Sequence, residues 1–352
     1  MRILFIGGTG IISTECAKLA ISRGIETWLL NRNNRTGLTP PGAKLLTADI
    51  NQHDDVESKL SAMLGSATFD AVVDFIAFTP AQVERSLKLF EKRCGQFVFI
   101  SSASAYQKPP TNYRITESTP LVNPFWKYSR DKIDCENLLN KYAAERGLKM
   151  TIVRPSHTYG DTMLPTVIGF GNSFSIVKRL RENKPVVVHG DGQSLWCLTH
   201  ASDFAKGLVG LLGQPAALGH AFHITSDEVL TWDQIYQTIA VAAGAPEPKI
   251  VHIPSDVLAK WDHGLEGGLI GDKARSVLFD NSKIKHFVPG YQATTLFAIG
   301  SRQTVRWFDA DPSRYTHDAA GEARIDRLIE WWNHATSTAG TFEQAASKPG
   351  AA

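Results

Sequence analysis

The chain has 352 residues, 43% hydrophobic and 20% charged, with a formal net charge of +2. That length allows one large α/β domain plus a smaller one, or two modest domains. The near balance of charge excludes a nucleic-acid or membrane surface argued from bulk charge, and no segment approaches the ~20 apolar residues of a membrane span.

The predicted elements alternate in the first half. Residues 3–6 read as a strand, and the glycines Gly7-Gly8 that follow end a run too short for a signal peptide. A helix is expected over 10–22, strands over 27–30 and 44–47, a helix over 54–64, a strand over 69–73, a helix over 80–92 and a strand over 96–100. A long helix over 128–146 and a strand over 150–153 complete the pattern. Strands this apolar are buried on both faces, and strict alternation gives right-handed crossovers and a parallel sheet. The fold class is therefore α/β, a doubly wound parallel sheet of Rossmann type with a smaller C-terminal substrate lobe. The division is 1–155 for the dinucleotide-binding part and 156–334 for the lobe, which lends elements back to the main sheet. Residues 335–352, rich in Ala, Ser, Thr and Gly, read as a flexible tail. In the lobe, strands are expected over 184–188 and 249–253, and helices over 203–212 and 232–243.

Gly7-Gly8-Thr9-Gly10-Ile11-Ile12-Ser13 stands at the first strand–helix junction. Gly7 permits the tight turn, and Gly10 lets the backbone approach a pyrophosphate at the helix N-terminus. Ser13 replaces the third glycine of the fingerprint, at the position that packs helix on strand. After the second strand an acidic residue would bind the ribose of NAD. Here the run is Asn31-Arg32, then Arg35, and a guanidinium suits a 2′-phosphate. NADP(H) is the favoured cofactor on this reading, with NAD(H) the alternative through Asn31.

Tyr128 and Lys132 are spaced i, i+4 on one helix face. Hydride transfer at a carbinol carbon needs a proton acceptor or donor. Tyrosine, with an ordinary pKa of about 10, needs a nearby ammonium to serve near neutrality. The strand 97–100 leads into Ser101-Ser102-Ala103-Ser104-Ala105-Tyr106, placing a serine where open α/β sheets bind ligands. Ser102, Tyr128 and Lys132 are the expected catalytic residues.

These runs resemble the extended short-chain dehydrogenase/reductases, the family of NAD-dependent epimerases and dehydratases. The resemblance covers about residues 1–245. Ala48-Asp49-Ile50 resembles the family's adenine contact. Glu117, Pro120, Pro124, Tyr128, Lys132 and Glu136 follow its motif order. Val153-Arg154-Pro155-Ser156-His157-Thr158-Tyr159-Gly160 resembles the segment beside the nicotinamide, and Gly190-Asp191-Gly192 through Asp203 its late element. The resemblance implies cofactor contacts from Gly7, Thr9, Gly10, Ile11, Ile12, Asn31, Arg32 and Arg35. Asp49, Ile50, Phe75, Ile76, Ala77, Tyr128, Lys132, Pro155 and His157 complete them.

Phe78, Ser104, Tyr106, His157 and Trp196 are expected near substrate. Trp196 stands where nucleotide-sugar relatives carry an arginine. An indole cannot neutralise a diphosphate but can stack on a sugar or apolar ring, or simply pack the core. His200 and Asp203 read as ordering the lobe loop. Glu117 reads as a substrate ligand or a loop cap, and Trp261 with residues 264–271 as a surface loop or the substrate mouth. The histidines lack metal-ligand spacing, so no metal is expected.

The function so implied is an NAD(P)-dependent oxidoreductase or epimerase acting on a hydroxyl or carbonyl carbon of a sugar-like small molecule. The alternatives are a non-catalytic dinucleotide-sensing or RNA-binding relative, and a reductase of an aromatic or acyl carbonyl. The family resemblance implies a homodimer through the helices of 80–92 and 128–146, without nucleic-acid or membrane partners. Cys16, Cys94, Cys135 and Cys197, without CxxC spacing, read as reduced thiols of a cytoplasmic protein.

Overall fold

A computed structural model describes residues 1–34, 36–168 and 174–337. Its centre is a seven-stranded sheet of β1 (Arg2–Ile6), β2 (Glu26–Asn31), β3 (Lys44–Thr47), β4 (Ala71–Asp74), β5 (Phe97–Ile100), β6 (Met150–Pro155) and β7 (Ala221–Ile224). The order is β7-β6-β5-β4-β1-β2-β3, and every pairing is parallel. Six of these strands carry the apolar runs legible in the sequence. The seventh, β7, comes from beyond residue 156 and joins the edge against β6.

Successive side chains leave the sheet on opposite faces. Leu4 and Ile6 meet helices α2 (His53–Leu64), α3 (Pro80–Phe90) and α4 (Lys127–Arg146) through Val56, Leu60, Val83, Leu87 and Leu139. Ile3 and Phe5 meet α1 (Ile11–Ser22) and α5 (Ala201–Leu211) through Cys16, Ala17, Ala20, Phe204 and Leu208. Both faces are covered, which is why the strands read as unbroken apolar runs rather than alternating ones. Strand β1 lies between β2 and β4, so the connections leave it in opposite directions and open a crevice beyond the strands' C-terminal ends.

The rest of the chain packs around Trp196, Trp232, Ile235 and Tyr236. Helix α6 (Trp232–Ala243) begins with a reciprocal cap. Thr231 Oγ1 accepts from the Gln234 amide at 3.1 Å, and Gln234 Oε1 accepts from that of Thr231 at 2.9 Å. Two long helices were not foreseen, α7 (Phe297–Asp309) and α8 (Ala319–Ser337). Their buried positions, Phe297, Val305 and Phe308, then Ile325, Leu328 and Ile329, carry the spacing of a single apolar stripe. Residues 335–337 of the expected tail close α8, and the remainder lies outside the described residues.

The glycine-rich stretch 264–271 is not a surface loop. Residues 263–273 form consecutive short helical turns pressed against Trp126. A Cβ at Gly267 would run into the Trp126 ring. Among the described residues no helix is long and apolar enough to cross a membrane. The four cysteines are free thiols.

Candidate active site

The crevice starts at the β1–α1 turn. Gly7 has φ +85°, and a side chain there would also run into Ile76. Ser13 does more than pack small. Its Oγ donates to the Gly7 carbonyl and accepts from the Gly10 amide, both at 2.8 Å, so it ties the turn to the first turn of α1. A cleft of about 440 Å³ opens here, lined by Gly7, Thr9, Gly10, Asn31, Arg32, Asp49, Ile50 and Ile76. Asn31 Oδ1 accepts from the Asn33 amide at 2.8 Å, while its Nδ2 is buried without a partner. Asp49 Oδ1 accepts from the Asn51 amide at 2.9 Å. Arg35 lies outside the described residues.

Gln82 and Arg85 of α3 also line this cleft, and the sequence reading missed both. Arg85 Nη1 donates to Asn51 Oδ1 at 2.8 Å, but its Nε and Nη2 are buried without a partner. Their only sequence signal is the i, i+3 spacing that sets them on one helix face. A glycine-lined helix N-terminus, an unpartnered amide N–H and a guanidinium with two nitrogens unpartnered form the donor set that a dinucleotide fits.

The cleft continues into a second space of about 290 Å³, lined by Ile11, Ile12, Phe75, Ile76, Phe78, Tyr128, Lys132, Pro155 and Thr158. Ile76 and Phe78 are unusually exposed for apolar side chains, at 36% and 44%. Ala77 does not line this space; its carbonyl accepts from Lys132 instead. Nor does His157, whose neighbour Thr158 takes that place.

Tyr128 opens α4, with Ser102 near enough for its hydroxyl to favour the phenolate. Burial pushes the phenol's pKa up; the Ser102 hydroxyl opposes this, and the Asp272 carboxylate adds to it. Lys132, one turn on and 1% exposed, donates to the carbonyls of Ala77 and Ile100, each at 2.7 Å. Burial brings its pKa down to about 8. Its ammonium lies 5.9 Å from the centre of the Tyr128 ring, with two of its three protons held by backbone oxygens.

Two expected substrate contacts lie behind the site instead. Ser104 is buried in the turn Ala103–Ala105, its hydroxyl held by Ser102 at 2.9 Å and Ser129 at 2.7 Å. It positions Ser102. Tyr106, 1% exposed, bonds His223 Nδ1 at 3.0 Å and Arg154 Nη1 at 3.1 Å. Arg154 also grips both oxygens of Glu136 on α4, and Ser101 donates to the same carboxylate. This buried fork fixes α4 against the ends of β5 and β6, and with it Tyr128 and Lys132. Glu117 serves the same region, accepting from the His223 amide at 3.2 Å.

In the lobe, Trp196 is 1% exposed and packs 6.2 Å from Trp232, centroid to centroid. His157 lies 6.4 Å from Trp232, and burial pushes its pKa down to about 3. His200 caps α5, accepting from the Ser202 amide at 3.3 Å, and Asp203 bonds Lys206 at 2.6 Å and the Thr295 amide at 2.8 Å, both structural roles. Among the described residues no group of His, Cys, Asp or Glu could hold a metal ion.

The model of the NAD dependent epimerase/dehydratase family matches residues 3–225. The chain is 27% identical to the chloroplast stem-loop binding protein of 41 kDa b of Arabidopsis thaliana, over 71% of this chain and 65% of that protein. It is 27% identical to the uncharacterized UDP-glucose epimerase YtcB of Bacillus subtilis, over 65% of this chain and 78% of that one. With a dTDP-glucose 4,6-dehydratase of Actinoplanes it shares 28% identity, over 63% of this chain and 62% of the other. The match thus spans just under two thirds of the first and third of these relatives. An epimerase of Methanothermobacter thermautotrophicus superposes with TM-score 0.72 at 16% identity, covering 89% of this chain and 93% of that one. A dTDP-glucose 4,6-dehydratase of Bacillus anthracis in complex with NAD gives 0.70 at 19%, covering 89% and 98%. At these identities the structures share the fold.

Proposed function

The chain belongs to the NAD-dependent epimerase/dehydratase family, and on that premise we propose that it is an oxidoreductase or epimerase acting at a hydroxyl or carbonyl carbon of a sugar-like small molecule. The observation that carries this reading is Tyr128 and Lys132 lining the far end of a cleft that begins at the glycine turn. Bound oxidised nicotinamide supplies a hydride acceptor and a positive charge that offsets burial of the phenol. Ser102 holds the substrate oxygen, and Tyr128 takes or returns its proton. Lys132 lines the same space, and its one remaining ammonium proton would hold the nicotinamide ribose. With its pKa pushed up, Tyr128 rests as a proton donor, the state that reduction of a carbonyl uses. Tyr128→Phe lowers kcat by about 10²–10⁴-fold, the usual worth of a positioned acid or base, with cofactor affinity retained. Unchanged turnover rejects the role.

For the cofactor, Arg32 and Arg85 in the adenosine cleft and Asn31 in place of a carboxylate support NADP(H) over NAD(H). The ratio of KM values decides, and a strong preference for NAD refutes it. A second reading, RNA binding, is favoured by the stem-loop binding relative alone. Filter binding of a hairpin RNA at physiological salt separates the two.

A further inference from the structure

Beyond Tyr128 the lobe holds an unusual charge count. Lys108 is 5% and Asp272 9% exposed, and Lys273 sits beside them. Lys108 Nζ lies 3.4 Å from Asp272 Oδ1, and Lys273 Nζ 2.9 Å from Oδ2. One carboxylate thus serves two ammoniums. Buried cations are normally matched, because an unmatched one is costly to desolvate.

The walls are aromatic. Lys273 Nζ lies 5.8 Å from the centre of the Trp126 ring and 6.0 Å from that of Trp196, and Lys108 Nζ lies 5.4 Å from Trp196. The Trp126 ring is 4.9 Å from that of Tyr128, so the cluster lies one ring away from the proposed proton donor. The donors here are also in excess. Trp196, almost wholly buried beside both ammoniums, keeps its indole N–H without an acceptor, and His157 Nδ1, a donor or acceptor by tautomer, is buried and unpartnered as well. An excess of cation, unused donors and flat apolar walls make a receptor for one small anion on a carbon ring or chain.

We propose that Lys273 and Lys108, walled by Trp126 and Trp196, bind a compact anionic group of the substrate, so that the substrate is a sugar acid or sugar phosphate rather than a neutral sugar or a nucleoside diphosphate sugar. The inference rests on the hydride-transfer reading of Tyr128. A net excess of one positive charge fits a carboxylate. Trp196, in the wall, adds no charge that would match the two of a diphosphate.

The test measures binding separately from turnover. Cofactor-loaded protein is titrated with D-gluconate, D-glucose 6-phosphate, D-glucose and UDP-glucose, following tryptophan fluorescence and heat. D-Gluconate or D-glucose 6-phosphate binds, and whichever is tighter identifies the anion. Lys273→Met weakens that binding by about ten- to a hundredfold, the worth of one charge-assisted hydrogen bond, whereas Lys273→Arg keeps most of it and shows that the lobe is folded. Equal binding of D-glucose, tighter binding of UDP-glucose, or indifference to Lys273→Met overturns the proposal. Tyr128→Phe keeps anion binding while turnover falls. If anions bind through Lys273 but Tyr128→Phe still turns over, the hydride-transfer reading fails and the anion site stands.

Discussion

Two buried charged clusters lie at helix α4, and they are assembled in opposite ways. Around Glu136, one guanidinium meets one carboxylate through two oxygens, and Ser101 and Tyr106 use the remaining capacity. Around Asp272, two ammoniums share one carboxylate, and nearby donors go unused. The first cluster is closed: nothing in it is left to bind a ligand, and it locks α4. The second is open, with charge and hydrogen-bonding capacity left over. Counting partners, rather than counting charges, separates a structural ion pair from a receptor.

The comparison is broken most directly at Glu136. Glu136→Leu leaves the Arg154 guanidinium buried without its anion, which destabilises by about 3–5 kcal/mol. Urea denaturation reads this as a lowered midpoint with an unchanged slope. A loss under about 1 kcal/mol would mean that the fork contributes little and the contrast with the lobe is empty.

The lobe cluster has a pH signature of its own. His189 is 1% exposed, packs 4.9 Å from Trp232 and donates through Nε2 to the Lys273 carbonyl at 3.1 Å. Burial, with the Lys273 charge in support and that hydrogen bond and Asp191 against, brings its pKa from 6.5 to about 4. As pH falls through 6.5 the unfolded imidazole takes a proton that the folded one refuses. The stability from this group is therefore full above pH 6.5 and shrinks as pH drops toward 4. Between pH 7 and pH 5 the loss is about 2 kcal/mol. His189→Gln removes that share, so its stability falls less over the same interval. Equal pH slopes in the two proteins would refute the assignment.

Much of the dinucleotide half was legible because its signals are local. The glycine turn, the Tyr128–Lys132 spacing and the six apolar runs each lie within a few consecutive residues. What failed was also physical. Ser104 and Tyr106 were read as facing substrate, but the tight turn at Ala103–Ala105 swings them inward to Ser129 and His223. Arg85 carries no motif and reaches the cleft at the glycine turn only because α3 packs beside β4. Lys108, His157, Trp196 and Lys273 come from four separate segments. Packing of the lobe against the segment that carries Lys108 brings them together, and no spacing in the sequence announces it. Arg154 and Glu136 were both visible as motif residues, yet their pairing required the register of α4 on β6.

The smallest expected effect is the most discriminating. Lys108→Met removes a buried charge, and burial already pulls the pKa of Lys108 down. Asp272 keeps Lys273 at 2.9 Å, so the deletion leaves a matched pair instead of an orphan. A thioether fills most of the vacated volume and forfeits the hydrogen bond from Lys108 Nζ to the Asp272 carbonyl at 3.1 Å, the 3.4 Å ion contact to Asp272 Oδ1 and the approach to the Trp196 ring. Unfolding free energy therefore changes by less than about 1 kcal/mol, in either direction, since apolar replacement of buried charge is often neutral or stabilising. Set against Glu136→Leu in the same buffer, the same kind of substitution has two outcomes. Removing one charge from a balanced pair unbalances it, and removing one from an unbalanced triad restores balance. A loss for Lys108→Met as large as that for Glu136→Leu would show that the lobe cluster, too, is a structural pair with no spare charge.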